Sequence, residues 1–280
     1  FDLNGTERKG LEKFSLQGSA SCSPRLHNGK SVQTCSVPLV VNGSLDYEQE
    51  SEYIIWLAVT DPGGITRKSF TIYVVNVNEK PTDILISDNK VPENSPGDVV
   101  VGEFLVKDPD NKNALTQTHK CSLDNSISGD EDAFYFKTAQ RNLLRVKANK
   151  DLDFETKRLY NITVVCMDTN LGISKSFEIE ITDVNEAPTS LLLSNSSVEE
   201  SDSSSIFIGT LSAEDPEGTN QTFTYSVRGL RSFRINGTNK DQLVHVGPID
   251  FERTPVISVN IRVADNGGLH LEKEFLIKII

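Results

Sequence analysis

The chain has 280 residues, 37% of them hydrophobic, with 28 basic and 40 acidic side chains and a formal net charge of −12. That length exceeds one small sandwich and suits two or three domains of about 100 residues, while the acidic balance argues against nucleic acid or anionic membrane as a partner and permits cation binding. No apolar run approaches the roughly 20 residues of a membrane span and residues 1–20 lack the layout of a secretion signal, so the expectation is a piece of a longer protein anchored elsewhere.

The first segment opens with Asp2 to Thr6, which resembles Asp215 to Thr219 further on, and with Phe14-Ser15-Leu16-Gln17-Gly18, which resembles Tyr225-Ser226-Val227-Arg228-Gly229. On that alignment the chain begins at the loop after a second strand, and upstream sequence or another segment completes the first sandwich. Cys22 and Cys35 then flank a loop-like stretch from Pro24 to Lys30. After Leu45-Asp46-Tyr47-Glu48 comes an alternating strand ending at Asp61-Pro62-Gly63-Gly64, with the lone Trp56 in its middle and expected in the core. The next strand runs into Val75-Asn76-Val77-Asn78-Glu79-Lys80-Pro81, where Asn and Glu oxygens precede a proline that cannot donate a ladder hydrogen bond.

The same succession returns twice. In the second segment it reads Pro92-Glu93-Asn94, Asp108-Pro109-Asp110, Leu152-Asp153-Phe154-Glu155, a strand ending at Asp168, and the joint Asp183-Val184-Asn185-Glu186-Ala187-Pro188. In the third it reads Glu200, Asp215-Pro216-Glu217, Ile249-Asp250-Phe251-Glu252 and a strand ending at Asp265-Asn266-Gly267-Gly268. A period near 100 residues is one domain per repeat, and the strands alternate with period two while no segment shows a helical period. The predicted fold is all-β, with three tandem antiparallel Greek-key sandwiches at 1–80, 81–187 and 188–280, the first lacking its first strands.

Flexible linkers are rich in Gly and Ser, whereas these joints offer carboxylates and amide carbonyls, the hard donors that Ca2+ prefers. Turn chemistry accounts for any single Asp but not for acidic positions that recur in register. The joints therefore read as metal-stiffened. Six Asn-X-Ser/Thr sequons, at Asn4, Asn42, Asn161, Asn195, Asn220 and Asn236, together with four cysteines, point to an extracellular glycoprotein. Four cysteines allow three pairings. The internal alignment puts Cys121 at the position of Phe14 and Tyr225, and Cys166 at that of Val59 and Val263, on neighbouring strands. The favoured pairs are Cys22 with Cys35 and Cys121 with Cys166, the alternative for the second being two buried thiols. The histidines, His27, His119, His245 and His270, are scattered and none recurs beside a nucleophile or carboxylate, so no enzyme is expected.

Taken in order, these motifs resemble the cadherin repeat, with its Pro-Glu-Asn, Asp-X-Asp, Leu-Asp-X-Glu, X-Ala-X-Asp and Asp-X-Asn-Asp-Asn-X-Pro signatures, over essentially the whole chain. The resemblance implies Ca2+ held between successive repeats by three groups of ligands. At the second joint these are Glu93, Asp153 and Glu155 from the base of one repeat, Asp183, Asn185 and Glu186 from the joint, and Asp215, Glu217 and Asp265 from the top of the next. At the first joint the matching set is Asp46, Glu48, Asn78, Glu79, Asp108, Asp110 and Asp168. There Asn76 replaces the initial Asp and the Glu of Pro-Glu-Asn is absent, so weaker binding or fewer ions is expected. Both joints are also one residue shorter than the family pattern. Asp250, Glu252 and Glu200 would serve a following joint.

The resemblance further implies calcium-dependent cell adhesion or extracellular recognition of a protein partner, homophilic or heterophilic, with a calcium-stiffened spacer or the ectodomain of a signalling receptor as alternatives. Junctional cadherins exchange an N-terminal Trp. Trp56 lies mid-strand, which favours a non-junctional member.

Overall fold

The computed structural model describes residues 2–3, 11–111, 119–126, 129–137, 140–218 and 221–280. Strands dominate. The first segment contributes β1 (Asp2–Leu3), β2 (Phe14–Leu16), β3 (Ser21–His27), β4 (Lys30–Ser36), β5 (Leu39–Val41), β6 (Glu52–Asp61) and β7 (Gly64–Tyr73). The second contributes β8 (Asp83–Ile86), β9 (Lys90–Pro92), β10 (Val100–Lys107), β11 (Lys120–Leu123), β12 (Phe134–Lys137), β13 (Gln140–Val146), β14 (Leu159–Met167) and β15 (Gly172–Thr182). The third contributes β16 (Ser190–Leu193), β17 (Ser197–Val198), β18 (Ser205–Glu214), β19 (Thr224–Arg228), β20 (Phe233–Asn236), β21 (Gln242–Val246), β22 (Val256–Ala264) and β23 (His270–Ile279). Among the described residues no helix is long and apolar enough to cross a membrane.

The second segment folds as two sheets, β12-β13-β10-β8 against β11-β14-β15-β9, and the third repeats that order as β20-β21-β18-β16 against β19-β22-β23-β17. Each is a seven-stranded sandwich whose first strand is split, one half antiparallel in the first sheet and the other half parallel to the last strand in the second. Period-two patterning drives this, because alternate residues of each strand face inward. Along β14 the inward residues Ile162, Val164 and Cys166 are fully buried, and along β22 Val259, Ile261 and Val263 are too. Phe104, Phe134, Leu144 and Ile179 complete one core and Leu191, Ile208, Phe233 and Leu243 the other. Each such burial is worth about 1.5–3 kcal/mol relative to exposure.

The first segment pairs β6 with both β1 and β7, and β2 with β5, so it holds the later strands of a sandwich and, among the described residues, leaves an edge of β5 and an edge of β7 open. This corrects the internal alignment. Leu3 lies opposite Leu57 as Val227 lies opposite Ile261, so β1 matches β19 and not the loop before it. Phe14 lies opposite Val41 as Phe134 lies opposite Val146, so Phe14 is the counterpart of Phe134 and not of Cys121 or Tyr225. The chain enters within the third strand of the pattern.

Trp56 is also corrected. It is 45% exposed, because Ile55 takes the inward phase of β6 and the alternation turns Trp56 outward, opposite Ser69. Only Phe14, Ile55 and Ala58 are buried among the described apolar residues of this segment, whereas Leu57 and Val59, on the inward face, stay partly open where β10 and β18 seal the other two repeats.

Both disulfides are present. Cys121 and Cys166 are register partners on β11 and β14, and Cys22 and Cys35 are register partners on β3 and β4. The loop-like stretch around Pro24 is thus a paired hairpin.

Candidate metal sites at the joints

Each joint leaves the last strand of one repeat and enters the first strand of the next through a proline, Pro81 or Pro188, that is fully buried. This brings joint side chains against the top of the following repeat, and the same three contacts form twice. At the first joint the Asn78 amide donates to Asp168 Oδ2 at 3.0 Å, the Glu79 N–H donates to Asp110 Oδ2 at 2.8 Å, and the Asp110 N–H donates to Asp108 Oδ1 at 3.0 Å. At the second the Asn185 amide donates to Asp265 Oδ2 at 2.9 Å, the Glu186 N–H donates to Glu217 Oε1, and the Glu217 N–H donates to Asp215 Oδ1 at 3.3 Å. Gly267 permits this approach, since a Cβ there would sit 2.6 Å from the Asn185 amide.

The base of the second repeat is built around Glu93, which is 2% exposed. Its two oxygens accept the Phe154 and Val184 N–H groups, each at 2.7 Å, which ties the tetrapeptide turn to the joint. Asp153 accepts from the Thr156 N–H and hydroxyl at 2.8 Å, and Glu93, Asp153 and Glu155 place carboxylate oxygens within 4.8 Å of one another. Glu200, Asp250 and Glu252 form the equivalent group in the third repeat, whereas at the first joint a different set comes together, Glu48 from the base, Glu79 from the joint and Asp110 from the top of the next repeat. Asn94 reaches up to the joint and donates to Glu186 Oε1.

Five oxygens in these sites are buried without a hydrogen-bond partner: Glu79 Oε2 and Asp110 Oδ1 at the first joint, and Glu186 Oε2, Asp215 Oδ2 and Glu217 Oε2 at the second. A buried carboxylate oxygen with no donor costs free energy that a cation would return. The residues present therefore fit a hard cation taking oxygen ligands.

Some expected ligands lie outside these close groups. Asp46 turns to Gln49, whose N–H and side-chain amide it accepts at 2.9 and 2.7 Å, and acts on Glu79 only through charge. Asp183 is exposed and likewise acts by repulsion on Glu155. The Asp108 carboxylate is buried and pairs with the buried His119 imidazole at 2.8 Å, a contact sequence reading missed. Its signal was position, because His119 stands just before β11 as Phe223 stands just before β19. Of the sequon residues, Asn42, Asn161, Asn195 and Asn236 are exposed, while Asn4 and Asn220 lie outside the described residues.

Electrostatics follow from this crowding. Lost hydration raises the carboxyls of Glu79, Glu155 and Glu186, and neighbouring carboxylates add to it: Glu48, Asp110 and Asp46 at Glu79, and Glu93 at both of the others. At Asp168 burial also pushes upward, but donors from Leu171, Asn170 and Asn78 outweigh it and the carboxyl is lowered. Thr156 lowers Asp153.

For the raised glutamates the folded state binds more protons than the unfolded one, so their contribution to stability declines as pH rises from about 4.5 through the raised folded values. The lowered aspartates work oppositely, contributing above about 3.8 and losing that contribution as pH falls through their folded values. With divalent ions chelated, the joints should therefore lose stability as pH climbs above about 4.5, and excess Ca2+ should flatten the decline. Thermal unfolding of the chelated chain across pH reads this directly. A flat chelated profile would contradict joints strained by like charge.

Comparison with known proteins follows the same lines. No family model matches the sequence. Protocadherin beta-1 of Homo sapiens is 29% identical over 260 residues, a match covering 86% of this chain and 30% of that protein, so the chain spans less than a third of the relative's length. Among solved structures, the protocadherin GammaB4 extracellular domain matches with TM-score 0.60 and 19% identity over 99% of this chain and 43% of its own. PcdhgB3 EC1-4 matches with TM-score 0.62 and 21% identity over 95% and 66%. Mouse protocadherin-24 EC1-3 matches with TM-score 0.54 and 16% identity over 95% and 89%. The relatives are protocadherins and the chain is not an enzyme. With the recurring motifs, the split-strand sandwiches and this kinship together, the chain is an extracellular one built of repeats similar to those of the cadherin family.

Proposed function

We propose that both joints bind Ca2+ and that this stiffens three repeats, at 1–80, 81–187 and 188–280, into a rod serving calcium-dependent adhesion through a protein partner. The observation that carries the reading is the set of five partnerless buried carboxylate oxygens, all at the two joints, on side chains that already touch across them. When bound, Ca2+ supplies positive charge that offsets the mutual repulsion of the carboxylates.

At the second joint Glu93, Asp153 and Glu155 would hold it from one side, with Asp183, Asn185 and Glu186 between and Asp215, Glu217 and Asp265 from the other. At the first joint the set is Asp46, Glu48, Asn78, Glu79, Asp108, Asp110 and Asp168. The Asn185 and Asn78 amides position Asp265 and Asp168, and the joint N–H groups position Glu217 and Asp110. The Asn-X-Ser/Thr sites carry glycans on this reading. Aggregation of coated beads tests adhesion: calcium-dependent clumping is expected, and beads that stay dispersed in millimolar Ca2+ would leave a stiff spacer as the better account.

A further inference from the structure

Between Glu12 and Asp46 the sequence contains Lys13, Arg25 and Lys30 but no acidic residue, so all 40 acidic side chains of the chain lie outside this stretch. At its centre is the β3–β4 hairpin. It fills residues 17–38 between β2 and β5, where the sister repeats join the matching strands through only residues 138–139 and 237–241. Every residue from Ser21 to Ser36 is exposed.

The hairpin is nevertheless a built element. Asn28 and Gly29 form its turn with φ of 52° and 75°, the left-handed geometry that matches the twist of paired strands. Cross-strand pairing runs without a break from Ser21 with Ser36 to His27 with Lys30, and the Cys22–Cys35 bridge closes the base. Cross-strand partners share a face and successive residues alternate faces. Arg25, His27, Lys30 and Val32 therefore lie together on one face near the tip, while Pro24, Leu26 and the disulfide lie on the other. Leu26 is 78% exposed. Pro24 removes a backbone donor from β3, which disfavours extension of the ladder along that strand and leaves the two faces for contact.

We propose that this hairpin is a recognition finger whose basic face docks on the acidic surface of a second copy of the chain, with Val32, which shares that face and is 46% exposed, covered in the contact. Charge complementarity identifies the occupant, because the remainder of the molecule carries every acidic group while the finger carries none. The inference rests on the adhesion reading and adds to it the element and the partner.

Sedimentation of the whole 280-residue chain in millimolar Ca2+, at salt from about 0.05 to about 0.5 M, tests it. The expected result is self-association that weakens with salt, and that falls about tenfold or more in the double variant Arg25→Glu, Lys30→Glu. Val32→Ser, on the same face, should also weaken it without changing charge. Both variants should keep the wild-type calcium-dependent thermal shift, which shows that they are folded. A wild type that stays monomeric, or a charge-reversed variant that associates as wild type does, overturns the proposal. So does monomeric wild type captured on heparin beads, which would make a sulfated glycan the occupant. Loss of the thermal shift in wild type would count against the calcium reading and is scored separately from association.

Discussion

Ca2+ at a hundred times its dissociation constant is expected to stabilise the folded chain by about 2.7 kcal/mol for each independent site. In repeats of about 100 residues each kcal/mol moves the thermal midpoint by roughly 4–8 °C, so a titration should show a shift well outside error. The double variant Asp153→Ala, Glu155→Ala leaves only Glu93 of the three carboxylates grouped at the base of the second repeat. Its shift should be clearly smaller, with the remainder coming from the first joint. Glu93 itself is a poor choice for this test, because it holds two backbone N–H groups at 2.7 Å and its loss would disturb the fold as well as the site. A wild type that shows no shift up to millimolar Ca2+ would mean that the shortened joints do not retain the ion.

The Cys121–Cys166 bridge should matter nearly as much. It closes a loop with a sequence separation of 45, and both cysteines are buried within the second core. Chain-entropy bookkeeping for a loop of that length gives about 4 kcal/mol, and replacement by alanine also leaves sulfur-sized space behind. Cys121→Ala with Cys166→Ala is expected to cost about 2–5 kcal/mol and to speed amide exchange throughout β10 to β15. The Cys22–Cys35 bridge staples a hairpin whose residues 21–36 are all exposed, so its removal should loosen β3 and β4 and leave the sandwich midpoints unchanged. Exchange measured strand by strand separates the two cases. Equal damage from both would show that the hairpin contributes to the first repeat's stability.

The order of elements and the two complete sandwiches were legible because the oxygen-bearing motifs recur in register and the strands between them alternate strictly. The grouping of Glu93 with Asp153 and Glu155, and of Asn185 with Asp265, is what the resemblance to the cadherin repeat implies. What was misread lacked such a reference. Phe14 to Gly18 fits the pattern of Tyr225 to Gly229 as well as that of Phe233 to Gly237, and five alternating residues do not say which neighbour a strand takes. The mid-strand place of Trp56 points to the core, although the phase of Ile55 turns it outward. The His119–Asp108 pair was invisible because it joins residues that only the bend after β10 brings together. The reach of Asn94 to Glu186 joins two loop residues, outside the strands, where strand periodicity carries no information.

The split first strand has a mechanical meaning. In both complete repeats its second half runs parallel to the last strand, pairing Val91 with Ile181 and Val198 with Ile279. One of these strands lies near the entry of its repeat and the other at the exit, so tension between the two ends slides them along each other and loads all their ladder bonds at once. The Lys90–Glu180 ion pair at 2.7 Å lies across the same seam. A pull along the array would therefore meet shear-resistant units in the second and third repeats.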